Sequence, residues 1–126
     1  MSPHSRVFIT QQPRPNKQDW TPNFTPATRY GTLFYIFSAS DRPSMDPDGA
    51  IFQAAEALED FNPLCDYLLW PNSGDPGAVV AIMAVLARKQ ISKLTILNWE
   101  RRLVRGTRDV RQGFYTPITF RLPEYK

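Results

Sequence analysis

The residues of this 126-residue chain whose types and spacing could do chemistry are three acids and a run of arginines. Asp41, Asp75 and Glu100 each follow an apolar, strand-like run. If those runs are parallel strands, the three acids sit at the carboxyl edge of an open α/β sheet, where such sheets bind ligands. Carboxylates gathered there could hold Mg²⁺ for phosphoryl transfer of a nuclease-like kind, with Arg101 and Arg102 meeting phosphates. Acids at loop starts are also common on any protein surface, and Asp75 has a second use as a helix cap. This enzyme reading is therefore the alternative and not the expectation.

The arginines carry the clearer signal. Net charge is only +3, yet residues 1–87 hold five Lys/Arg against nine Asp/Glu, and residues 88–126 hold ten against three. Arg101, Arg102, Arg105, Arg108 and Arg111 cluster around one expected hairpin tip, with Trp99, Phe114 and Tyr115 beside them. Guanidinium forks suit phosphate oxygens and aromatic faces suit unstacked bases. Arginine and aromatics equally mark protein–protein hot spots. A solvated hairpin paired with acids of the first helix is the plain structural alternative. The partner is nucleic acid or a host or phage protein, and the pattern matches no named nucleic-acid motif.

Other chemistries are poorly supplied. His4 is the only histidine and Cys65 the only cysteine, which excludes an internal disulfide and leaves no nucleophile–base pair. Gly74-Asp-Pro-Gly77 invites a phosphate-loop reading, but Asp75 would set a carboxylate where the phosphate belongs and Pro76 removes a donor. No cofactor is expected. The longest apolar run, Ala78–Ala87, is about half of the roughly 20 residues a bilayer span needs. Met1–Thr10 lacks the apolar core of a secretory signal. No membrane association is expected.

The elements that must position these residues read as one α/β domain over 1–126, with a frayed tail at 1–5 and a proline-rich surface loop at 11–26 pinned by Trp20 and Phe24. Arg6–Thr10 is a short strand, Tyr30–Phe37 a second and Tyr67–Trp70 a buried third. Ser92–Trp99 and Gly113–Leu122 form an antiparallel hairpin with its tip near Arg105–Asp109, and Pro117 makes the last strand an edge or bulged one. Asp46 and Asp75, each followed by proline, are helix starts. The first helix carries Ile51, Ala54, Ala55 and Leu58 inward and ends at Asn62-Pro63. The second, apolar from Ala78 to Ala87, is expected to be buried around most of its circumference, under the N-terminal loop or a second subunit of a homodimer. The order β-β-α-β-α-β-β gives a mixed sheet of about five strands with a parallel core and two main helices. Right-handed crossovers are expected to bring strands two, three and four together, with antiparallel additions at the margins.

Several short motifs carry a resemblance: Val7-Phe8-Ile9, Thr25-Pro26-Ala27 with Tyr30-Gly31, Asp66-Tyr67-Leu68-Leu69, Gly74-Asp75-Pro76, the alanine-rich Ala78–Ala87, Leu97-Asn98-Trp99, Arg101-Arg102 and Tyr115-Thr116-Pro117. In this order the chain resembles a family of small tailed-phage proteins of unassigned function. The resemblance implies a phage origin and the host cytoplasm, and carries over no functional residue.

Overall fold

The computed structural model describes residues 5–14, 24–101 and 113–122, with Arg101 described through its backbone. Five strands, β1 (Arg6–Gln11), β2 (Thr32–Phe37), β3 (Tyr67–Leu69), β4 (Lys93–Arg101) and β5 (Gly113–Arg121), form one mixed sheet in the order β2-β1-β3-β4-β5. β1 pairs in parallel with both β2 and β3, β3 pairs in parallel with β4, and only β5 is antiparallel. The expected adjacency of strands two and three is thus corrected: the first strand lies between them and is no antiparallel margin. The cause is legible in β1 itself. Val7, Phe8 and Ile9 are each fully buried although successive side chains point to opposite faces, so this strand needs neighbours on both edges and cover on both faces.

Helices α1 (Pro47–Ala57) and α2 (Pro76–Arg88) lie side by side on one face, burying Ala50, Ala54, Ile82 and Leu86 against Phe8, Ile36, Leu68 and Leu94. The other face is covered by a 3₁₀ helix, Thr25–Tyr30, which brings Phe24, Ala27 and Tyr30 onto Val7, Ile9, Leu69 and Leu97. Phe24 therefore pins its segment as expected, while Trp20 lies outside the described residues. The second strand starts at Thr32 and not at Tyr30, because Thr25–Tyr30 is helical.

Both helix starts are as read from the sequence. The Asp46 carboxylate accepts from the Gly49 amide at 3.1 Å and the Asp75 carboxylate from the Gly77 amide at 2.9 Å. α1 ends at Ala57, short of Asn62, because backbone groups just beyond it are held from elsewhere. Arg6 Nη2 donates to the Asp60 carbonyl at 2.9 Å, and the Asn62 amide donates to the buried Asp66 carboxylate at 2.8 Å. Asp66 also accepts the Arg6 amide at 2.9 Å, so this acid ties the start of β1 to the approach to β3.

Within this single chain α2 is buried on one side only, and the cover expected from residues 15–23 of the N-terminal loop lies outside the described residues. Ala78, Ala81, Ile82, Val85 and Leu86 are buried, but Val80 is 68% exposed and Met83 39%. The sheet and α1 cover the buried side of the helix, and Ser44 lies against its first turn at Gly77. Trp70, expected inside the third strand, follows its end at Leu69 and is exposed.

Candidate functional site

The strand order creates a crevice. After β1 the chain leads to the 3₁₀ helix on one face, and after β3 it leads to α2 on the other, so their carboxyl ends part. An order of 2-1-3-4-5 is that of flavodoxin-like sheets, whose ligands lie where the connections diverge. Here that place holds an open cleft of about 710 Å³, walled by Gln12–Arg14 after β1, Ala39 and Arg42 after β2, and Pro71–Asp75 after β3.

Gln11 builds these walls. Its buried side-chain amide donates to the Ser38 and Asp41 carbonyls, both at 2.9 Å, and accepts the Asp75 amide at 2.8 Å. One side chain thus fastens the loop after β2 and the cap of α2 to the end of β1. The approach is close enough to require glycine at position 74. Its φ is +95°, and a Cβ there would stand 2.6 Å from Gln11 Oε1. Gly77 is constrained likewise by Ser44, whose Oγ would lie 2.6 Å from a Cβ. Asn72 adopts a left-handed φ of 61°, a conformation asparagine tolerates better than most residues.

The three acids have separate duties. Asp75 is bonded by the Ser44 hydroxyl, by the Ser44 amide at 2.9 Å and by the Gly77 amide, and these donors hold its carboxyl below the usual carboxylate range. Asp41 accepts the Ser38 amide at 2.7 Å and Gln53 Nε2 at 3.1 Å, and the Ser38 amide is the main reason its carboxyl is lowered. Glu100 stands on β4 opposite Phe114. Among the described residues no three His, Cys, Asp or Glu side chains form a group that could hold a metal ion, so Asp41, Asp75 and Glu100 are not brought together as one. What Asp41 and Asp75 do is fix loops. The first donors of α2 are taken as well, since the Asp75 amide goes to Gln11, the Gly77 amide to the Asp75 carboxylate and the Ala78 amide to the Asp75 carbonyl at 3.0 Å.

The expected hairpin is present, with continuous register from Lys93↔Arg121 to Arg101↔Gly113 and no bulge. Arg102, Arg105, Arg108 and Arg111 fall between its strands, outside the described residues, as does the side chain of Arg101. The aromatics read as binding partners serve the core. Tyr115 is only 7% exposed, and Trp99 packs against it with ring centroids 4.9 Å apart. Tyr30 caps this pair by donating its hydroxyl to the Tyr115 carbonyl at 2.8 Å. Burial pushes the Tyr115 phenol up to about 12. Phe114, on the opposite face, is 42% exposed.

Pro117 has a definite place. The Leu122 amide donates to the Ser92 carbonyl at 2.7 Å, so by alternation the odd-numbered residues of β5 point their backbone groups away from β4. Pro117 lies on the free edge and costs the sheet no hydrogen bond.

A family model described as phage Pam3 gp32-like protein matches residues 5–106, from the start of β1 into the arginine-rich stretch. The chain belongs to that family. No curated protein and no solved structure matches it. Within this phage Pam3 gp32-like chain, Gly74-Asp75-Pro76 falls on the cleft wall and the cap of α2, and Leu97-Asn98-Trp99 falls on β4.

Sequence reasoning passed over Gln11, Arg14 and Arg42. The only signal available was a polar residue ending an otherwise apolar strand, Val-Phe-Ile-Thr-Gln, and it becomes informative once β1 is known to lie between β2 and β3.

Proposed function

We propose that this phage protein is a non-enzymatic accessory protein that binds nucleic acid through the arginine-rich tip of the β4–β5 hairpin. The observation that carries the reading is the antiparallel register closing at Arg101↔Gly113, which sets Arg102, Arg105, Arg108 and Arg111 between two paired strands. A second observation favours nucleic acid over a protein partner. Tyr115 is buried and Trp99 is packed on it, so these two aromatics are poor candidates for anchors to a protein partner, which supports a reading that rests on the arginines, with the exposed Phe114 beside them.

Binding of short single- and double-stranded oligonucleotides, followed by fluorescence anisotropy across a salt series, tests this. Affinity should fall linearly on a log–log plot, with a slope of about −0.7 to −0.9 per phosphate contacted. Replacing Arg102, Arg105 and Arg108 by glutamate should abolish binding and leave the circular dichroism spectrum unchanged. Capture of a single host protein that survives nuclease treatment would overturn the nucleic-acid reading in favour of a protein partner.

The metal-dependent phosphoryl-transfer alternative has no converging acids among the described residues to rest on. Action in the host cytoplasm fits a phage family and the finding that no helix among the described residues is long and apolar enough to cross a membrane. A homodimer, where one forms, would use the exposed α2 stripe of Val80, Met83 and Ala87.

A further inference from the structure

We infer that the crevice between the carboxyl ends of β1 and β3 is a binding site for a small organic phosphate, of the size and polarity of a nucleoside monophosphate. The inference is independent of the hairpin reading and rests on different residues.

The first ground is place and size. The cleft lies where the connections from β1 and β3 leave toward opposite faces, and its volume of about 710 Å³ falls within the usual range for small-molecule sites. The second is the state of its arginines. Arg14 donates Nε to the Ala39 carbonyl at 2.9 Å, which fixes the base of the guanidinium, and its terminal nitrogens have no partner among the described residues. Arg42 makes no side-chain hydrogen bond among the described residues, and its charge lies close enough to Asp75 to favour that carboxylate. Two arginines that follow two different strand ends thus line one crevice with donor capacity unused among the described residues, an arrangement suited to phosphate oxygens.

The third ground selects the ligand. Asp75 is a wall residue as well, with its carboxylate engaged by Ser44 and Gly77 at the margin of the cleft, so the described lining residues comprise two arginines and one acid. A polyanion would meet that carboxylate unfavourably. A ligand with one charged end and a donor-bearing body would not, because hydroxyl or amine groups could face Asp75, Asn72 and Ser73. Gln11 has its polar atoms on the walls and holds the shape without contributing to recognition.

The test is isothermal titration calorimetry of the whole chain with the four common nucleoside monophosphates, their nucleosides and inorganic phosphate. At least one monophosphate should bind saturably, more tightly than its nucleoside and than inorganic phosphate. Arg14→Ala and Arg42→Ala should each weaken binding tenfold or more, and Arg14→Lys should restore part of it. Both side chains are exposed, so the variants should keep the parent's melting temperature, which is measured alongside. Arg29→Ala, on the 3₁₀ helix, and the hairpin triple variant should bind like the parent. Absence of saturable binding by every monophosphate at millimolar concentration would overturn the inference. Binding that both alanine variants leave intact would overturn the assignment of the site, and equal affinity for inorganic phosphate would overturn the organic ligand.

Discussion

Gln11 Oε1 accepts the backbone amide of Asp75 at 2.8 Å, joining the end of the first strand to the cap of the second helix. The same amide group holds the Ser38 and Asp41 carbonyls, so one buried side chain sets the spacing of three strand ends. The cleft depends on this residue for its shape, while its arginines provide the charge.

Gln11→Ala should therefore cost about 2–3 kcal/mol, since three backbone groups lose their partner in a largely buried place. Urea unfolding followed by circular dichroism measures it. Gln11→Glu keeps the acceptor for Asp75 but sets a carboxylate against two carbonyls, and its loss should shrink on acidification. A stability equal to the parent's in both variants would contradict the account of the walls.

Stability should depend on pH at both extremes. Ser44 and Gly77 depress the Asp75 carboxyl below its ordinary 3.8, so its stabilisation is present above about pH 4 and lost as pH falls through the lowered folded value. Asp41, lowered by the Ser38 amide, acts in the same sense. Asp75→Asn should flatten that acid limb in melting temperatures taken between pH 2 and 5. Tyr115 behaves oppositely: burial raises its phenol from 10.0 to about 12, so stability is full below pH 10 and falls as pH rises towards 12. Tyr115→Phe should reduce the alkaline loss, and ultraviolet titration should show one late-ionising tyrosine fewer.

The two sides of α2 should answer differently to the same change. Ile82 is fully buried and Val80 is 68% exposed. Ile82→Ala should cost about 2–5 kcal/mol, whereas Val80→Ala should stay within about 0.5 kcal/mol. Sedimentation of Val80→Glu against the parent adds the oligomeric state, because a dimer built on this stripe should dissociate.

Pro117→Val should restore a donor in the middle of the outer edge of β5. Exposed strand edges template pairing with other chains, and proline is one of the devices that blunts them. The variant should keep the parent's fold but show faster growth of light scattering at high concentration. A parent and variant that scatter alike would mean that Pro117 has no such role.

How far the sequence foretold these features depended on whether their cause was local. Asp46-Pro47 and Asp75-Pro76 marked helix starts because capping is a matter of a few adjacent residues. The hairpin was legible for the same reason. Strand order was not, because parallel pairing joins distant segments and the crossovers can pass over an inserted strand. The exposure of Val80 was missed because an alanine-rich apolar helix looks the same whether or not a third layer covers it. The cleft was missed because Arg14 and Arg42 are ordinary loop residues until β1 is set between β2 and β3. Trp99 and Tyr115 flank the arginines in sequence as binding candidates do, and only their registry opposite each other, beside the 3₁₀ helix, turns Tyr115 into the core with Trp99 packed on it.

The position of β1 between β2 and β3 also governs how the molecule can assemble. Arg6 pairs with Thr32 and Val7 with Tyr67, so the strand synthesised first has partners that arrive much later. β2 has no other strand neighbour among the described residues, and α1 lacks much of the floor it packs on until Phe8 is in place. The sheet can close only once the chain through Leu69 exists, which makes folding a late event dominated by distant contacts. Deleting residues 6–11 would remove the strand that joins β2 to β3 and so divide the described sheet in two.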